Sequence, residues 1–259
     1  MLNKSLSQNL IKDKNLLHKI VRSANITKDD VVVEIGAGHG DLTAQIAEKS
    51  GFLYAIELDA SFAGYLDLIE KKYSNVKIVY GDCLDIPIAQ FKKEKNIKIV
   101  ANIPYKITGP IIFKILSERS VVDSAYLTVQ KEIAQRIASN SHCKTYGAPS
   151  VNCQIFADVK LLFLIKSRMF IPPPKVDSAL LSIVFKENER ETDDGLISFV
   201  RSCFQNKRKQ LKHSLIKHFG KERTEALYTS MCFPYYVRAE EIEPFQFKEM
   251  YYFLKDVEK

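Results

Sequence analysis

The amino-acid sequence predicts an α/β protein, a mostly parallel sheet covered by helices on both faces and followed by a smaller helical domain. Three observations carry this. Over the first two-thirds of the chain, short β-branched runs alternate with helix-period patterns, the signature of strand–helix–strand units. A glycine cluster, Gly36-Ala37-Gly38-His39-Gly40, directly follows the first strong strand, where an open α/β sheet binds nucleotides. Beyond Glu187 only helical patterns remain.

Taken in order, Leu16, Leu17, Ile20, Val21 and Ala24 recur at helical spacing. Val31 to Ile35 is a buried strand running into the glycines. Asp41 to Lys49 is a helix, with Leu42, Ile46 and Ala47 on one side. Phe52 to Ile56 is the next strand, and Asp59 caps a helix through Lys72. Val76 to Tyr80, Ile97 to Ala101 and Ala125 to Val129 are further strands. Helices at Pro110 to Leu116 and Lys131 to Ala138 alternate with them, the first with proline in its opening turn. Val159 to Ile165 and Ala179 to Phe185 form a closing strand pair around a proline turn. The polar run from Glu187 to Asp194 resembles a linker. The expected division is a sheet domain, residues 1–188, and a helical domain, residues 189–259.

Composition bounds the function. A chain of 259 residues with 46% hydrophobic and 27% charged residues is an ordinary globular protein, which excludes global disorder and a small disulfide scaffold. Lys and Arg number 38 against 31 Asp and Glu, a net charge of +7 that suits an anionic partner. No apolar run approaches membrane-spanning length and no apolar leader opens the chain, so a cytoplasmic protein without membrane attachment is expected. The cysteines Cys83, Cys143, Cys153, Cys203 and Cys232 are odd in number and lack C-x-x-C spacing. They are expected to be reduced packing residues, with no metal site. The histidines show no ligand spacing either.

The candidate chemistry sits at successive strand ends. The glycine spacing is G-x-G-x-G, one residue short of the dinucleotide fingerprint. Glu57 ends the next strand, about twenty residues on, where a carboxylate can accept from both ribose hydroxyls. Asp82 follows the third strand, placed to accept from an adenine amino group. Together Gly36, Gly38, Glu57 and Asp82 suit a nucleoside cofactor without a pyrophosphate, namely S-adenosyl-L-methionine.

Asn102-Ile103-Pro104-Tyr105 follows the fourth strand. The exocyclic amine of adenine is a poor nucleophile, because its lone pair is delocalised into the ring. Two acceptors aimed at its hydrogens would favour the pyramidal amine of the transition state. The Asn102 side-chain oxygen and the Ile103 carbonyl are the candidates. Pro104 stiffens the turn, and Tyr105 offers a face for a flipped base.

At this point the chain resembles a known family, the ribosomal RNA adenine dimethyltransferases. The resemblance runs through Gln8-Asn9-Leu10-Ile11, Glu34-Ile35-Gly36-Ala37-Gly38, Ile56-Glu57-Leu58-Asp59 and Asn102-Ile103-Pro104-Tyr105. It continues in Gln130-Lys131-Glu132-Ile133-Ala134-Gln135-Arg136, Tyr146-Gly147, Phe170 with Pro172-Pro173-Pro174-Lys175-Val176-Asp177-Ser178, and Arg238-Ala239-Glu240. The departures are Leu6-Ser7 before Gln8, a short start, and Thr108-Gly109-Pro110 after the tyrosine loop.

The resemblance implies a seven-stranded Rossmann-like methyltransferase domain with a helical C-terminal domain. It implies two methyl transfers to each of two adjacent adenosines in the last hairpin loop of small-subunit rRNA, on a pre-ribosomal particle, by a monomer. It carries Asn9, Ile11, Gly36, Glu57, Asp82 and Asn102 over as cofactor contacts, and Phe170 as an aromatic that sandwiches the target base with Tyr105.

Two basic segments complete the reading. Arg201, Lys207, Arg208, Lys209, Lys212 and Lys217 lie in an acid-free stretch whose apolar stripe is Phe204, Leu211, Leu215 and Phe219. Arg201, Lys207, Arg208, Lys209 and Lys212 are candidate phosphate contacts. Lys4, Lys12, Lys14, Lys19, Arg22 and Lys28 give the N-terminal segment a similar excess. The alternatives are a large-subunit rRNA adenine methyltransferase of the macrolide-resistance type and a non-catalytic RNA-binding assembly or transcription factor on the same fold.

Overall fold

The computed structural model describes residues 9–190, 193–205 and 209–256. They fall into two compact units. One comprises the described residues up to 134 together with 160–185, the other 135–159 together with the described residues from 186 on.

The first unit opens on strand β1 (Leu10–Ile11) and helix α1 (Lys14–Ser23). Asp13 caps α1 by accepting from the Leu16 N–H at 2.8 Å. Strand β2 (Val31–Ile35) leads through the glycines to α2 (Asp41–Ala47) and β3 (Phe52–Glu57). A 3-10 turn capped by Asp59 precedes α3 (Ala63–Lys72). Then come β4 (Val76–Tyr80), β5 (Ile97–Asn102), α4 (Thr108–Ser117) and β6 (Val122–Gln130).

Helices α5 (Lys131–Ile137) and α6 (Ala148–Phe156) lead to β7 (Ala157–Ile165), β8 (Phe170–Ile171) and β9 (Ser178–Phe185). The seven-stranded sheet has the order β4-β3-β2-β5-β6-β9-β7. Strands β4, β3, β2, β5 and β6 are parallel, and β9 runs antiparallel to β6.

Two features position the site. Successive connections step outward from β2 to β3 and β4, then cross back to β5 on the other side of β2. That makes the β2/β5 boundary the switch point where α/β sheets bind ligands. The register also brings the carboxyl ends level, since Ile35 pairs with both Ile56 and Ala101.

Periodicity explains the packing. Leu16, Leu17, Ile20 and Val21 of α1, Leu42 and Ile46 of α2 and Leu66 of α3 bury against Val32, Leu53, Ala55 and Val100 of the sheet. Each such side chain stabilises by roughly 1.5–3 kcal/mol relative to exposure. Ile111, Ile112, Ile115 and Leu116 bury one side of α4; its β5–β6 crossover steps the opposite way, so a right-handed connection puts it on the other face.

The second unit holds α6 with α7 (Gly195–Phe204), α8 (Leu211–Phe219), α9 (Lys221–Ser230) and α10 (Pro244–Asp256). The Phe204 and Phe247 rings stack at 5.6 Å between centroids. The buried Tyr146 hydroxyl donates to the Ile242 carbonyl at 2.8 Å.

Three observations differ from the sequence reading. Residues 135–159, expected in the sheet domain, cluster with the helical unit, and α6 has no counterpart among the expected elements. Ser150, Val151, Asn152, Cys153, Ile155 and Phe156 are all buried, so α6 has no amphipathic stripe for periodicity to detect. The stripe from Phe204 to Phe219 is not one helix: Phe204 ends α7 and the other three belong to α8. Strands β1 and β8 pair only Leu10 with Ile171 and Ile11 with Phe170, too short a run to show alternation.

Candidate active site

The carboxyl ends of β2 to β5 converge on one cavity of about 180 Å³, lined also by Asn9 and Leu10. Gly36, Gly38 and Gly40 all have positive φ, which β-carbons disfavour. This lets the loop fold back over β3. The Gly36 N–H donates to the Ile56 carbonyl at 2.9 Å. The Gly38 N–H donates to Glu57 Oε2 at 2.8 Å, and the Asp59 N–H to Glu57 Oε1 at 2.8 Å. Glu57 is thus fixed by one backbone donor on each oxygen, and each oxygen keeps acceptor capacity for a ligand hydroxyl. A Cβ at Gly38 would lie 2.7 Å from Leu10 Cδ2, so Leu10 packs directly on the loop as a cavity wall.

Asp82 lines the cavity after β4, its Oδ1 accepting from the Leu84 N–H at 2.9 Å. Beside it, burial and then the Asp82 charge push the Cys83 thiol up to about 11, so that sulfur is a neutral wall group.

Asn102 ends β5. Its Nδ2 donates to the Asn9 carbonyl at 2.7 Å, which fixes the amide orientation. Among the described residues nothing donates to Asn102 Oδ1 or to the Ile103 carbonyl, so two acceptors stand open at the rim of β5. The Ile103 N–H donates to the Thr128 carbonyl at 3.2 Å, and the Ile107 N–H to the Pro104 carbonyl at 3.1 Å. These bonds hold the turn that presents them. The Tyr105 hydroxyl is 2.6 Å from Ser178 Oγ. Burial raises its pKa, with the Ser178 hydrogen bond opposing, so the ring is a neutral surface anchored at its far end.

Behind the loop, Glu34 is 1% exposed and neither carboxylate oxygen has a hydrogen-bond partner. Burial pushes this carboxyl up to about 8. The Glu57 charge adds to the rise, and the Thr43 hydroxyl offsets it only in part, since its contact falls outside hydrogen-bonding geometry.

The cavity therefore gathers Asn9, Gly36, Gly38, Glu57, Asp82, Asn102, Ile103, Pro104 and Tyr105. It does not gather Ile11 or Phe170. These are 4% and 2% exposed, pair across β1 and β8, and belong to the core under α1. Leu10, Cys83 and Ser178 join the site without having been singled out in the sequence. Ser178 closes the proline-rich motif and Leu10 stands within Gln8-Asn9-Leu10-Ile11, which are their only signals; Cys83 carries none.

Of the basic candidates, Arg201 and Lys209 are exposed, while Lys207 and Arg208 lie outside the described residues. Lys212 corrects the expectation of a surface phosphate contact. It is 3% exposed, with its ammonium 3.4 Å from the Tyr235 ring centroid and 3.6 Å from Glu225. Its face of α8 turns inward, so the charge is spent inside the helical unit. No helix among the described residues is long and apolar enough to cross a membrane. Nor do three or more His, Cys, Asp or Glu side chains group as a metal site among them.

Known proteins converge on the same description. The family model "Ribosomal RNA adenine dimethylase" matches residues 1–254. Ribosomal RNA small subunit methyltransferase A of Prosthecochloris aestuarii is 41% identical over 217 residues, covering 83% of this chain and 82% of its own. The enzyme of the same name from Ureaplasma urealyticum is 35% identical over 259 residues, covering 97% and 92%.

The crystal structure of a dimethyladenosine transferase from Plasmodium falciparum superposes with a TM-score of 0.82 at 27% identity, covering 95% of this chain and 98% of that one. The 23S rRNA methyltransferase ErmE shares the fold, with a TM-score of 0.73 at 23% identity over 95% and 100% of the two chains. The sheet is thus a Rossmann-like methyltransferase sheet. A match over nearly the whole length, on a cavity built from the same strand ends that carry the sequence motifs, places this chain in the ribosomal RNA adenine dimethylase family.

Proposed function

We propose that this protein uses S-adenosyl-L-methionine to dimethylate the exocyclic amines of two adjacent adenosines in the 3′-terminal hairpin loop of small-subunit rRNA. It does so as a monomer on a pre-ribosomal particle. The observation that carries the reading is the pair of open acceptors, Asn102 Oδ1 and the Ile103 carbonyl, in the same cavity as the fixed Glu57 carboxylate.

The residues present fit the cofactor. Glu57 offers acceptor capacity for ribose hydroxyls, Asp82 offers a carboxylate for an adenine amine, and the Gly36 and Gly38 backbone lines the same cavity. When bound, the cofactor supplies an electrophilic methyl group on a sulfonium sulfur.

The chain does the rest by positioning. Tyr105, held by Ser178, gives the extruded base a flat face. Asn102 Oδ1 and the Ile103 carbonyl accept from the amine hydrogens and favour the pyramidal nitrogen of the transition state. Pro104 keeps both acceptors in register. The methylated amine is cationic and acidic enough to lose its proton to water, so no dedicated base is required. Phe170 joins the sandwich only if β8 moves, because its ring is in the core here.

The small-subunit reading is favoured over a large-subunit one by the small-subunit relatives at 35–41% identity. The intact Glu57, Asp82 and Asn102 favour an enzyme over a binding factor. The test is methyl transfer from labelled cofactor to unmethylated small subunits, with large subunits as control and nucleoside analysis of the product. Dimethyladenosine confined to the small subunit is expected. Label in large-subunit RNA, or RNA binding without label, overturns the reading.

A further inference from the structure

A second groove of the sheet unit, unrelated to the cavity chemistry, is built from cations. It is about 800 Å³ and lies between α1 and the C-terminal end of α2. Asn15, His18, Lys19 and Arg22 stand at i, i+3, i+4 and i+7 of α1, one exposed face of that helix. Gln45 and Lys49 form the opposite wall.

No carboxylate lines the groove. The two nearest acids in sequence are engaged elsewhere: Asp13 caps α1, and Glu48 accepts from the Tyr73 hydroxyl. Lys19 sits over the Phe163 ring at 3.8 Å, which fixes its ammonium in place. Among the described residues, no acid pairs with Lys19, Arg22 or Lys49. Other cations of the chain find partners, as in Lys98 with Asp30 or Lys248 with Glu189.

The placement relates the groove to the active site. Helix α1 begins a few residues after Asn9 and Leu10, which line the cavity, and α2 begins directly after the glycine loop. Both helices therefore start beside the cavity and run away from it, and the groove follows them. Seven residues of helix span about 10 Å, enough to meet more than one phosphate along a strand. The amides of Asn15, Asn25 and Gln45 add neutral donors for phosphate or 2′-hydroxyl oxygens.

We infer that the α1/α2 groove is a phosphodiester-binding track that holds RNA backbone flanking the target loop, without reading its sequence. The inference rests on the proposed rRNA substrate. It is more than a solvated helix face because unpaired cations stand on both walls of one acid-free groove.

The test is the double variant Arg22→Ala/Lys49→Ala, which touches no residue of the cavity. Binding of an RNA fragment containing the small-subunit 3′ hairpin is measured across a salt series. Methyl transfer at saturating RNA and cofactor affinity by calorimetry are measured alongside. The plot of log affinity against log salt is expected to flatten by about 1 for each cation–phosphate pair removed, hence by about 2. Saturated turnover and cofactor affinity should stay unchanged.

Lys71→Ala/Lys72→Ala, in the last turn of α3, should leave the slope as in the parent protein. An unchanged slope in Arg22→Ala/Lys49→Ala overturns the track and leaves the methyltransferase reading intact. Unchanged affinity for naked RNA with weakened affinity for whole subunits also overturns it, and assigns the groove to an acidic protein surface. Absence of methyl transfer by the parent protein counts against the proposed function, while the slope comparison still decides the groove.

Discussion

Asn102 donates one amide hydrogen to the Asn9 carbonyl, which orients the side chain and leaves its oxygen open to accept from a ligand. Removing one preorganised polar group of this kind typically costs 10²–10³-fold in turnover. Asn102→Ala should therefore lose about that much in single-turnover methyl transfer. Calorimetry should find cofactor affinity changed far less, because Glu57 and the glycine loop keep their own bonds.

Glu34 makes a different prediction. Its folded pKa, about 8, lies above the ordinary value of 4.5, chiefly through burial. A carboxyl raised on folding stabilises the fold while protonated, and that contribution is lost as pH rises from 4.5 through about 8. The melting temperature of the parent protein should fall across that window, while Glu34→Gln should be nearly flat. In a domain this size each kcal/mol of stability removed appears as about 2–4 °C, so thermal melts at about pH 6 and pH 9 would show it. Equal slopes for the two proteins would contradict a protonated Glu34.

At the scale of elements, the glycine loop explains its own spacing. The third glycine comes one residue earlier than a dinucleotide site would place it, because Gly40 is the first cap of α2. Its φ is 82°, and a Cβ there would meet Ile69 Cδ1 at 2.0 Å and Leu66 Cδ2 at 3.3 Å. Gly40→Ala should cost about 2 kcal/mol or more, combining a left-handed backbone penalty of about 1–2 kcal/mol with displaced α3 side chains. Denaturant unfolding would measure it.

Elements with a period are legible in the residues alone. Strands β2 and β4 keep the bounds the residues indicate, as do the buried face of α1 and the Asp59 cap. Elements without a period are not legible. Helix α6 is buried on every side, and β1 and β8 exist only because they pair with each other.

At the scale of the whole molecule, the compact units do not follow chain order. Residues 135–159 pack with the helices that follow residue 186, through the Tyr146 hydroxyl on Ile242 and the Asn152 amide on the Ile197 carbonyl. A fragment of residues 1–188 would strip Tyr146, Val151 and Phe156 of their cover, all 0% exposed in the full chain. Such a fragment should be poorly soluble and bind hydrophobic dye, whereas the full chain should not. A soluble fragment with a sharp melting transition would contradict this division.

Read along the chain, the residues already specify the parallel sheet, the strand-end order of the cavity, and Glu57, Asp82 and Asn102 among its polar groups. These are local facts, set by β-branched runs, glycines and the residue that happens to follow a strand. Which neighbours those groups have is set by packing. It gave Leu10 to the cavity and Phe170 to the core, anchored Tyr105 on Ser178, turned Lys212 inward, and set Arg22 opposite Lys49 across a groove. Each of these joins residues far apart in the chain or fixes which way a helix face turns. Burial and pairing are properties of the packed arrangement, and no spacing along the chain encodes them.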